Sequence, residues 1–226
     1  MISVLTITYK RHHLLEEAIE SFLRQEDLSG CEMVIINDNP EVGYIYDHPR
    51  IKIINYKNRF PSIASKLQWG YRQCKNEYIY RLDDDDLLGP NAFSILAETI
   101  TNSKEYPEIY RSSSHYFFEN NIYKGEKDNI NNGNVYSKAY LNRIKWPDKS
   151  GDEDADITFN HNAKIFTIPK PTMIYRWGMN TFHISGMGKQ TNETILKQAD
   201  EVLKEVAGDL VLKPHFNQEY YDQLPK

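Results

Sequence analysis

The sequence predicts an α/β fold, with a largely parallel central sheet flanked by helices. Through about the first hundred residues, short apolar segments rich in β-branched residues alternate with segments whose apolar residues recur at helical spacing. Such alternation is typical of βαβ units, because a crossover must carry the chain back before a parallel strand can begin. Polar and acidic residues follow several of these strands directly, which predicts that they meet at one edge of the sheet. A chain of 226 residues is long enough to enclose one sizeable core.

Each element of this first half has its own signal. The predicted strands are short apolar runs, and they cover Ile2–Thr8, Glu32–Asn37, Ile51–Asn55 and Glu77–Leu82. The predicted helices have apolar residues three and four positions apart, and they cover Leu14–Arg24 and Ser62–Gln73. Pro90 is expected to open a further helix, because proline suits the first helical turn.

The second half, from about Tyr106, has a different sequence pattern. IYRSSSHYFFENNIYKG predicts strands around an Asn-rich turn, KIFTI and PTMIYRW predict further strands, and KAYLNRI and DEDADITFNHN predict short helices. Proline limits PTMIYRW to an edge strand or to a strand that begins after it. Thr191 caps a predicted terminal helix, TNETILKQADEVLKEVA. We expect one domain in two functional halves, residues 1–105 and 106–226.

Composition and charge exclude several classes of protein. The net charge of −5 gives no strongly cationic footprint, so a nucleic-acid partner is not indicated, although a local basic patch would permit one. Two cysteines without paired spacing exclude a zinc site of several thiolates and favour a reduced setting. No run approaches the roughly 18–20 apolar residues of a membrane span. These features favour a soluble, cytoplasmic protein without an integral membrane segment, and they leave peripheral membrane contact open.

Four consecutive aspartates, Asp83–Asp86, follow the predicted strand Glu77–Leu82. An exposed acidic turn before the next helix is the ordinary interpretation of such a run. A buried strand, however, delivers these carboxylates to the sheet edge, where repulsion raises their pKa values unless a cation is bound. Carboxylate ligands suit Mg²⁺ or Mn²⁺, which also take phosphate oxygens of a substrate. We therefore expect a metal site that bridges phosphates.

Three segments of the first half, MISVLTITYKR, VIINDNP and NEYIYRLDDDDLLGP, together resemble inverting GT-A-type glycosyltransferases of family 2. That family typically shows a strand ending in T-Y-N-R, a V-D-D-x-S turn and G-E-Y-I-x-x-L-D-x-D-D. The match covers about residues 2–100, in the right order and spacing. Lys10, Asn37, Asn76 and Arg81 depart from the family's usual residues, which leaves the identity of the nucleotide open. The resemblance implies a GT-A (nucleotide-diphospho-sugar transferase-like) fold, with the nucleotide-sugar half first and the acceptor-side half second.

The resemblance also implies a donor site for a nucleoside diphosphate sugar. Its residues would be Thr8, Tyr9, Arg11, Asp38, Lys66, Asp83 and Asp84. Thr8 and Tyr9 would line the base, and Asp38 would contact the base or ribose. Asp83 or Asp84 would hold the ribose, and Lys66 or Arg59 would touch the base or phosphates. Asp85 would hold Mn²⁺ or Mg²⁺ on the diphosphate.

A second acidic segment, SGDEDADITF at residues 150–159, resembles the family's acceptor-side E-D-x-D motif. By itself it is an acidic helix start, since carboxylates favour a helix N-terminus. Inverting transfer needs one carboxylate that takes the proton of the acceptor hydroxyl. Alignment with the family assigns this role to Asp154, with Asp152 and Glu153 as competitors. The implied acceptor is a glycan or another molecule that carries a hydroxyl group.

Two further residues and two further functions stay open. By the same resemblance, His183 would be a second metal ligand after the strand that ends in MIYRW, and a hydrogen-bonded structural histidine is the alternative. Trp146 is either a sugar-stacking platform or a core residue. A sugar-1-phosphate nucleotidylyltransferase would usually show a glycine-rich phosphate loop, which TYKRHH lacks. The remaining alternative is a non-catalytic domain that binds nucleotide or metal.

Overall fold

A seven-stranded sheet forms the centre of the molecule in a computed structural model that describes residues 1–103, 106–129, 132–178 and 207–225. In order across the sheet, with numbers in chain order, the strands are β11 (Ile165–Ile168), β7 (Ile109–Ser112), β10 (Val135–Ser137), β5 (Tyr78–Arg81), β1 (Ile2–Thr8), β2 (Glu32–Asn37) and β4 (Ile51–Asn55). The four strands from β5 to β4 are parallel, β11 is parallel to β7, and β10 is antiparallel to both of its neighbours. The predicted α/β fold with a largely parallel sheet is confirmed.

Among the described residues, two smaller sheets accompany the central one. The first contains β6 (Leu87–Leu88), β12 (Met173–Trp177), β8 (Ser114–Glu119) and β9 (Ile122–Asp128), in that order. Strands β8 and β9 form a hairpin around Asn120 and Asn121, whose φ angles of 49° and 66° suit asparagine in a tight turn. The second small sheet pairs β13 (Gly208–Val211) with β3 (Val42–Ile45) in parallel. The sequence did not predict β3 or β6, and β6 is too short to show a pattern.

Helices cover the central sheet and connect its strands. They are α1 (His12–Leu23), α2 (Ile63–Tyr71), α3 (Ala92–Asn102), α4 (Lys138–Arg143) and α5 (Glu153–Phe159), with a 3-10 helix at Tyr221–Gln223. Helix α3 has Asn91 as its N-cap, so Pro90 precedes the helix and the prediction that it lies in the first turn was wrong. The predicted helix after Thr191 lies outside the described residues. Within the described residues, no helix is long and apolar enough to cross a lipid bilayer.

Apolar side chains fill both faces of the central sheet. On one face Val4 belongs to a buried cluster with Leu15 of α1, and on the other Leu5 belongs to a cluster with Leu67 of α2. A parallel sheet that is covered on both faces needs apolar residues on both, which explains the continuous apolar runs of β1 and β2. This packing fixes the carboxyl ends of β1, β2 and β5 at one edge.

Candidate active site

The aspartate run lies at that edge, in the turn between β5 and β6. Asp84, Asp85 and Asp86 are at most 2% exposed, and only Asp83 is partly exposed. The interpretation as a solvated acidic turn is therefore wrong. Burying carboxylates is costly unless charges or hydrogen-bond donors compensate them, so their partners define the site.

Positive charge and amide donors surround the run. Arg11, just after β1, contacts both Asp84 and Asp85, with 3.1 Å from Nε to Asp84 Oδ2 and 3.2 Å from Nη1 to Asp85 Oδ2. The side-chain amide of Asn132 donates to Asp83 Oδ2 at 3.0 Å and to Asp86 Oδ2 at 2.7 Å. Arg11 and Asn132 together therefore bond to all four aspartates of the run.

These partners do not remove the repulsion within the run. Burial, reinforced by the charges of Asp85 and Asp83, raises the pKa of Asp86 well above its usual range. Burial also raises the pKa of Asp84 to about 6, although Arg11 opposes the shift. A divalent cation would relieve both effects, because it favours the ionised carboxylates.

The donor atoms fit such a cation. Asp83, Asp85 and Asp86 each present an oxygen, and these oxygens lie within 4.8 Å of one another. The buried Oδ1 of Asn132 has no hydrogen-bond partner in the part of the chain that the structure describes. Carboxylate and amide oxygens are the hard ligands that Mg²⁺ and Mn²⁺ prefer.

A second group of predicted residues lies beside the first. Lys66 Nζ is 2.6 Å from Asp38 Oδ1 and 2.6 Å from the carbonyl oxygen of Thr8, which joins the ends of β1 and β2 to α2. Arg59 Nη1 is 3.0 Å from Asp38 Oδ1, and its guanidinium carbon is 3.3 Å from the centroid of the Tyr9 ring. Burial lowers the pKa of Lys66 to about 8, with Asp38 opposing the shift. The structure therefore brings together residues that the sequence places 58 positions apart.

Arg81 joins the aspartate run to the second acidic segment, residues 150–159. Its Nη2 is 3.3 Å from Asp83 Oδ1 and 3.0 Å from Glu153 Oε1. Its Nη1 contacts Asp154, at the start of α5. Sequence reasoning noted Arg81 only as a departure from the family's pattern, so this role was missed. A charged residue at the end of an otherwise apolar strand was the available signal.

The carboxylates of this second acidic segment have different environments. Glu153 is 5% exposed and also accepts a hydrogen bond from the backbone N–H of residue 151, at 2.6 Å. Asp154 is 23% exposed. Asp156 points elsewhere, since its Oδ2 is 2.7 Å from Lys149 Nζ. Asp152 is exposed and has a left-handed backbone, with a φ of 54°.

Arg176, which the sequence analysis missed, donates hydrogen bonds to the aspartate run. Its side chain is fully buried on β12, and its Nε donates to the carbonyl oxygen of Asp85 at 2.6 Å. Its Nη1 contacts Glu17 on α1 and donates to the Tyr220 hydroxyl at 3.1 Å. Its backbone N–H donates to Asp86 Oδ1 at 3.1 Å. One arginine thus links the run to α1 and to the C-terminal segment.

Of the two other predicted residues, the structure describes Trp146 but not His183. Trp146 stacks on Tyr71, with ring centroids 5.4 Å apart and planes 3° apart, and its Nε1 donates to the Leu141 carbonyl at 3.0 Å. These contacts favour a packing role over a sugar platform. His183 lies outside the described residues.

Sequence comparisons identify relatives of much greater length. A protein-family model described as glycosyl transferase family 2 matches residues 3–176. Chondroitin synthase from Escherichia coli is 23% identical over 174 residues, which cover 74% of this chain and 22% of that protein. Hyaluronan synthase from Pasteurella multocida is 23% identical over 176 residues, which cover 74% of this chain and 16% of that protein. The chain therefore spans less than a quarter of the length of these relatives.

Solved structures share the fold. TarS from S. aureus, in complex with UDP-GlcNAc, has a TM-score of 0.67 and 14% identity, covering 87% of this chain and 63% of that chain. The mannosyltransferase PcManGT from Pyrobaculum calidifontis, in complex with GDP-Man and Mn²⁺, has a TM-score of 0.57 and 15% identity, covering 77% and 56%. The expected GT-A fold is confirmed. Because the family model matches well over half of its residues, the chain belongs to glycosyl transferase family 2.

Proposed function

We propose that this protein transfers a sugar from a nucleoside diphosphate sugar to an acceptor hydroxyl, with inversion at the anomeric carbon. The observation that carries the proposal is the Arg81 guanidinium, whose Nη2 lies 3.3 Å from Asp83 and 3.0 Å from Glu153, the residue next to Asp154 at the start of α5. In a single displacement, the attacking oxygen and the departing diphosphate lie on opposite sides of one carbon. The base and the diphosphate site must therefore lie on either side of a gap about one sugar wide. A guanidinium that bonds to both the aspartate run and the start of α5 can hold the two parts of the site at this separation.

The donor site is proposed at the edge formed by β1, β2 and β5. Asp38, oriented by Lys66 and Arg59, would contact the base or ribose, and Tyr9 under Arg59 would provide a flat surface for the base. Two structural neighbours support this class of donor, because one was solved with UDP-GlcNAc and the other with GDP-Man and Mn²⁺.

The aspartate run is proposed to hold Mn²⁺ or Mg²⁺, chiefly through Asp85, with Asp83 and Asp86 close enough to share it. The bound cation would neutralise charge on the departing diphosphate. Arg11 would add a permanent positive charge beside the diphosphate, since its guanidinium already lies against Asp84 and Asp85.

Asp154 is proposed as the general base. Its carboxylate takes the proton of the acceptor hydroxyl while the acceptor oxygen forms a bond to the anomeric carbon. The bond from that carbon to the diphosphate breaks, and its electron pair leaves with the diphosphate. Asp154 suits this role better than Glu153, because Asp154 is partly exposed whereas Glu153 is buried and bonded at both oxygens.

Asp154→Asn tests the assignment, with Asp156→Asn as the matched control on the same helix. Transfer is followed by mass spectrometry with UDP- and GDP-sugars, Mn²⁺ and a panel of aryl glycosides. Asp154→Asn is expected to lower kcat by roughly 10²–10⁴-fold, because the proton has no acceptor. The Kd for the donor should stay within about twofold, since the base acts in the transition state.

The control separates chemistry from helix stability. Asp156→Asn removes a carboxylate from α5 and its pairing with Lys149, so it should retain near-normal kcat. The assignment is wrong if Asp154→Asn transfers sugar at the normal rate, or if both variants lose the same activity.

A further inference from the structure

The polar loop before β10 brings an asparagine onto the aspartate run. Strands β10 and β5 are antiparallel, and their pairing continues past the start of β10, where the backbone N–H of Arg81 donates to the Asn134 carbonyl at 3.0 Å. Gly133 precedes Asn134 with a φ of 68°, a conformation that glycine adopts without steric cost. Before this glycine lies Asn132, which belongs to none of the segments that carry the resemblance to the family.

The Asn132 side chain is buried, but only its amide nitrogen has partners. The residue is 7% exposed, and its Nδ2 donates to Oδ2 of both Asp83 and Asp86, at 3.0 and 2.7 Å. These two bonds use both protons of the amide. Its Oδ1 is also buried, and it has no hydrogen-bond partner among the described residues. A buried oxygen of this kind is rare in folded proteins, so it indicates a place where a ligand binds.

The charge around the amide identifies the kind of ligand. Asp83 and Asp86 accept its two hydrogen bonds, and Asp85 offers a further oxygen within 4.8 Å of theirs. Three carboxylates in a mostly buried turn create a negative potential, which favours a cation over a neutral donor. An amide oxygen is a hard ligand, of the type that Mg²⁺ and Mn²⁺ take together with carboxylates.

The distances allow one cation to contact the amide and the run together. Oδ1 and Nδ2 of Asn132 are bonded to the same carbon, so Oδ1 lies at most about 5 Å from Oδ2 of Asp83 and of Asp86. Opposite ligands of an octahedral Mg²⁺ ion are about 4 Å apart. A shift of about 1 Å is therefore enough to bring Oδ1 and the run onto one ion.

A neutral ligand suits a metal site that also receives a diphosphate. An octahedral ion has six ligands, of which the three aspartates and Asn132 would supply four. Two positions would then be left for phosphate oxygens. A further carboxylate would repel the diphosphate, whereas an amide adds a ligand without adding charge.

We infer that Asn132 is a ligand of the metal through Oδ1, alongside the aspartates of the run. The inference rests on the proposed function and adds a protein ligand to its metal site. While Oδ1 contacts the cation, Nδ2 keeps Asp83 and Asp86 in position, so every polar atom of the side chain has a partner.

The metal selectivity of a cysteine variant tests this inference by equilibrium binding. The full chain is titrated with Mn²⁺ and with Zn²⁺ in the presence of UDP, and calorimetry gives both dissociation constants. A thiolate prefers Zn²⁺, whereas an amide oxygen suits Mn²⁺. Asn132→Cys should therefore raise the preference for Zn²⁺ over Mn²⁺ by at least about tenfold relative to the unaltered chain. A residue that only donates hydrogen bonds to the run would affect both metals alike and leave this ratio unchanged.

Asn134→Cys is the matched control, two positions along the same loop. Asn134 is also buried, and its Nδ2 donates to Thr158 Oγ1 at 3.3 Å. Its ratio of the two dissociation constants should equal that of the unaltered chain. An unchanged ratio in Asn132→Cys would overturn the inference, as would an equal rise in both variants.

A measurement on the unaltered chain needs no variant to fold. In crystals soaked with Mn²⁺ and UDP, Oδ1 of Asn132 should lie about 2 Å from the metal, and a separation beyond about 3 Å would overturn the inference. If the donor is hydrolysed with Mn²⁺ while Asn132→Cys leaves the ratio unchanged, the inference fails and the proposed function survives. If the ratio rises as expected but no nucleoside diphosphate sugar is turned over, Asn132 remains a metal ligand and the proposed function fails.

Discussion

Arg176→Met tests whether the buried arginine holds the aspartate turn in place. In the folded chain, the side chains of Arg176 and Glu17 are both fully buried and in contact. Methionine retains much of the volume of arginine but removes the charge and every donor. The variant therefore leaves the Glu17 carboxylate buried without its cation, although the Tyr220 hydroxyl still donates to it at 2.9 Å.

The magnitude follows from the contacts that are lost. Breaking a buried ion pair by removing one partner costs about 3–5 kcal/mol, chiefly because the remaining charge is uncompensated. Loss of the 2.6 Å hydrogen bond to the Asp85 carbonyl adds about 1 kcal/mol. A domain of this kind has a total stability of about 5–15 kcal/mol, so the variant should be severely destabilised but still folded at low temperature.

Urea unfolding at pH 7, followed by tryptophan fluorescence, measures the effect. The double variant Arg176→Met with Glu17→Gln should recover about 2–3 kcal/mol of the loss, because a buried amide costs less than a buried charge. A cost below about 1 kcal/mol for the single variant would refute this reasoning. So would a double variant whose loss equals the sum of the two single losses.

Three further predictions concern other parts of the site and its scaffold. Burial lowers the pKa of His115 to about 4 in the folded chain, so its contribution to stability is present above about pH 6.5 and is lost as pH falls toward 4. His115→Gln should therefore remove about 2 kcal/mol of the loss of stability that urea titrations measure between pH 7 and pH 4.5. Lys66→Met should weaken UDP binding about tenfold in calorimetry, because Asp38 loses its 2.6 Å partner, and unchanged affinity would contradict the proposed donor site. Ser62→Ala should lower the free energy of unfolding by about 1 kcal/mol through loss of the N-cap of α2, whereas Ser62→Gly should cost only a few tenths.

Much of the site could be predicted because it follows buried strands. Continuous apolar runs gave the bounds of β1, β2 and β4 without error, and each run ends where polar residues begin. Since parallel strands share one carboxyl edge, Arg11 and the aspartate run were expected there together. Their contact in the folded chain confirms this expectation.

The arginine contacts could not be predicted, because their partners are remote in the chain. Arg81 meets Glu153 across 72 positions, and Arg176 meets Glu17 across 159 positions. Periodicity reports only which face of a strand or helix is apolar, so it cannot pair two charges on separate elements. The same limit hid the contact between the rings of Phe117 and Tyr175, which become neighbours only after β8 and β12 have paired.

In the proposed reaction, the aspartate run and Asp154 flank a single reacting carbon. Anomalous diffraction from crystals soaked with Mn²⁺ and UDP tests it most directly. We predict a manganese peak at about 2 Å from a carboxylate oxygen of Asp85, with the terminal phosphate of UDP turned toward the Arg81 side of the run. A peak at any other group of carboxylates, or bound UDP whose phosphates face away from Arg81 and Asp154, would contradict the claim.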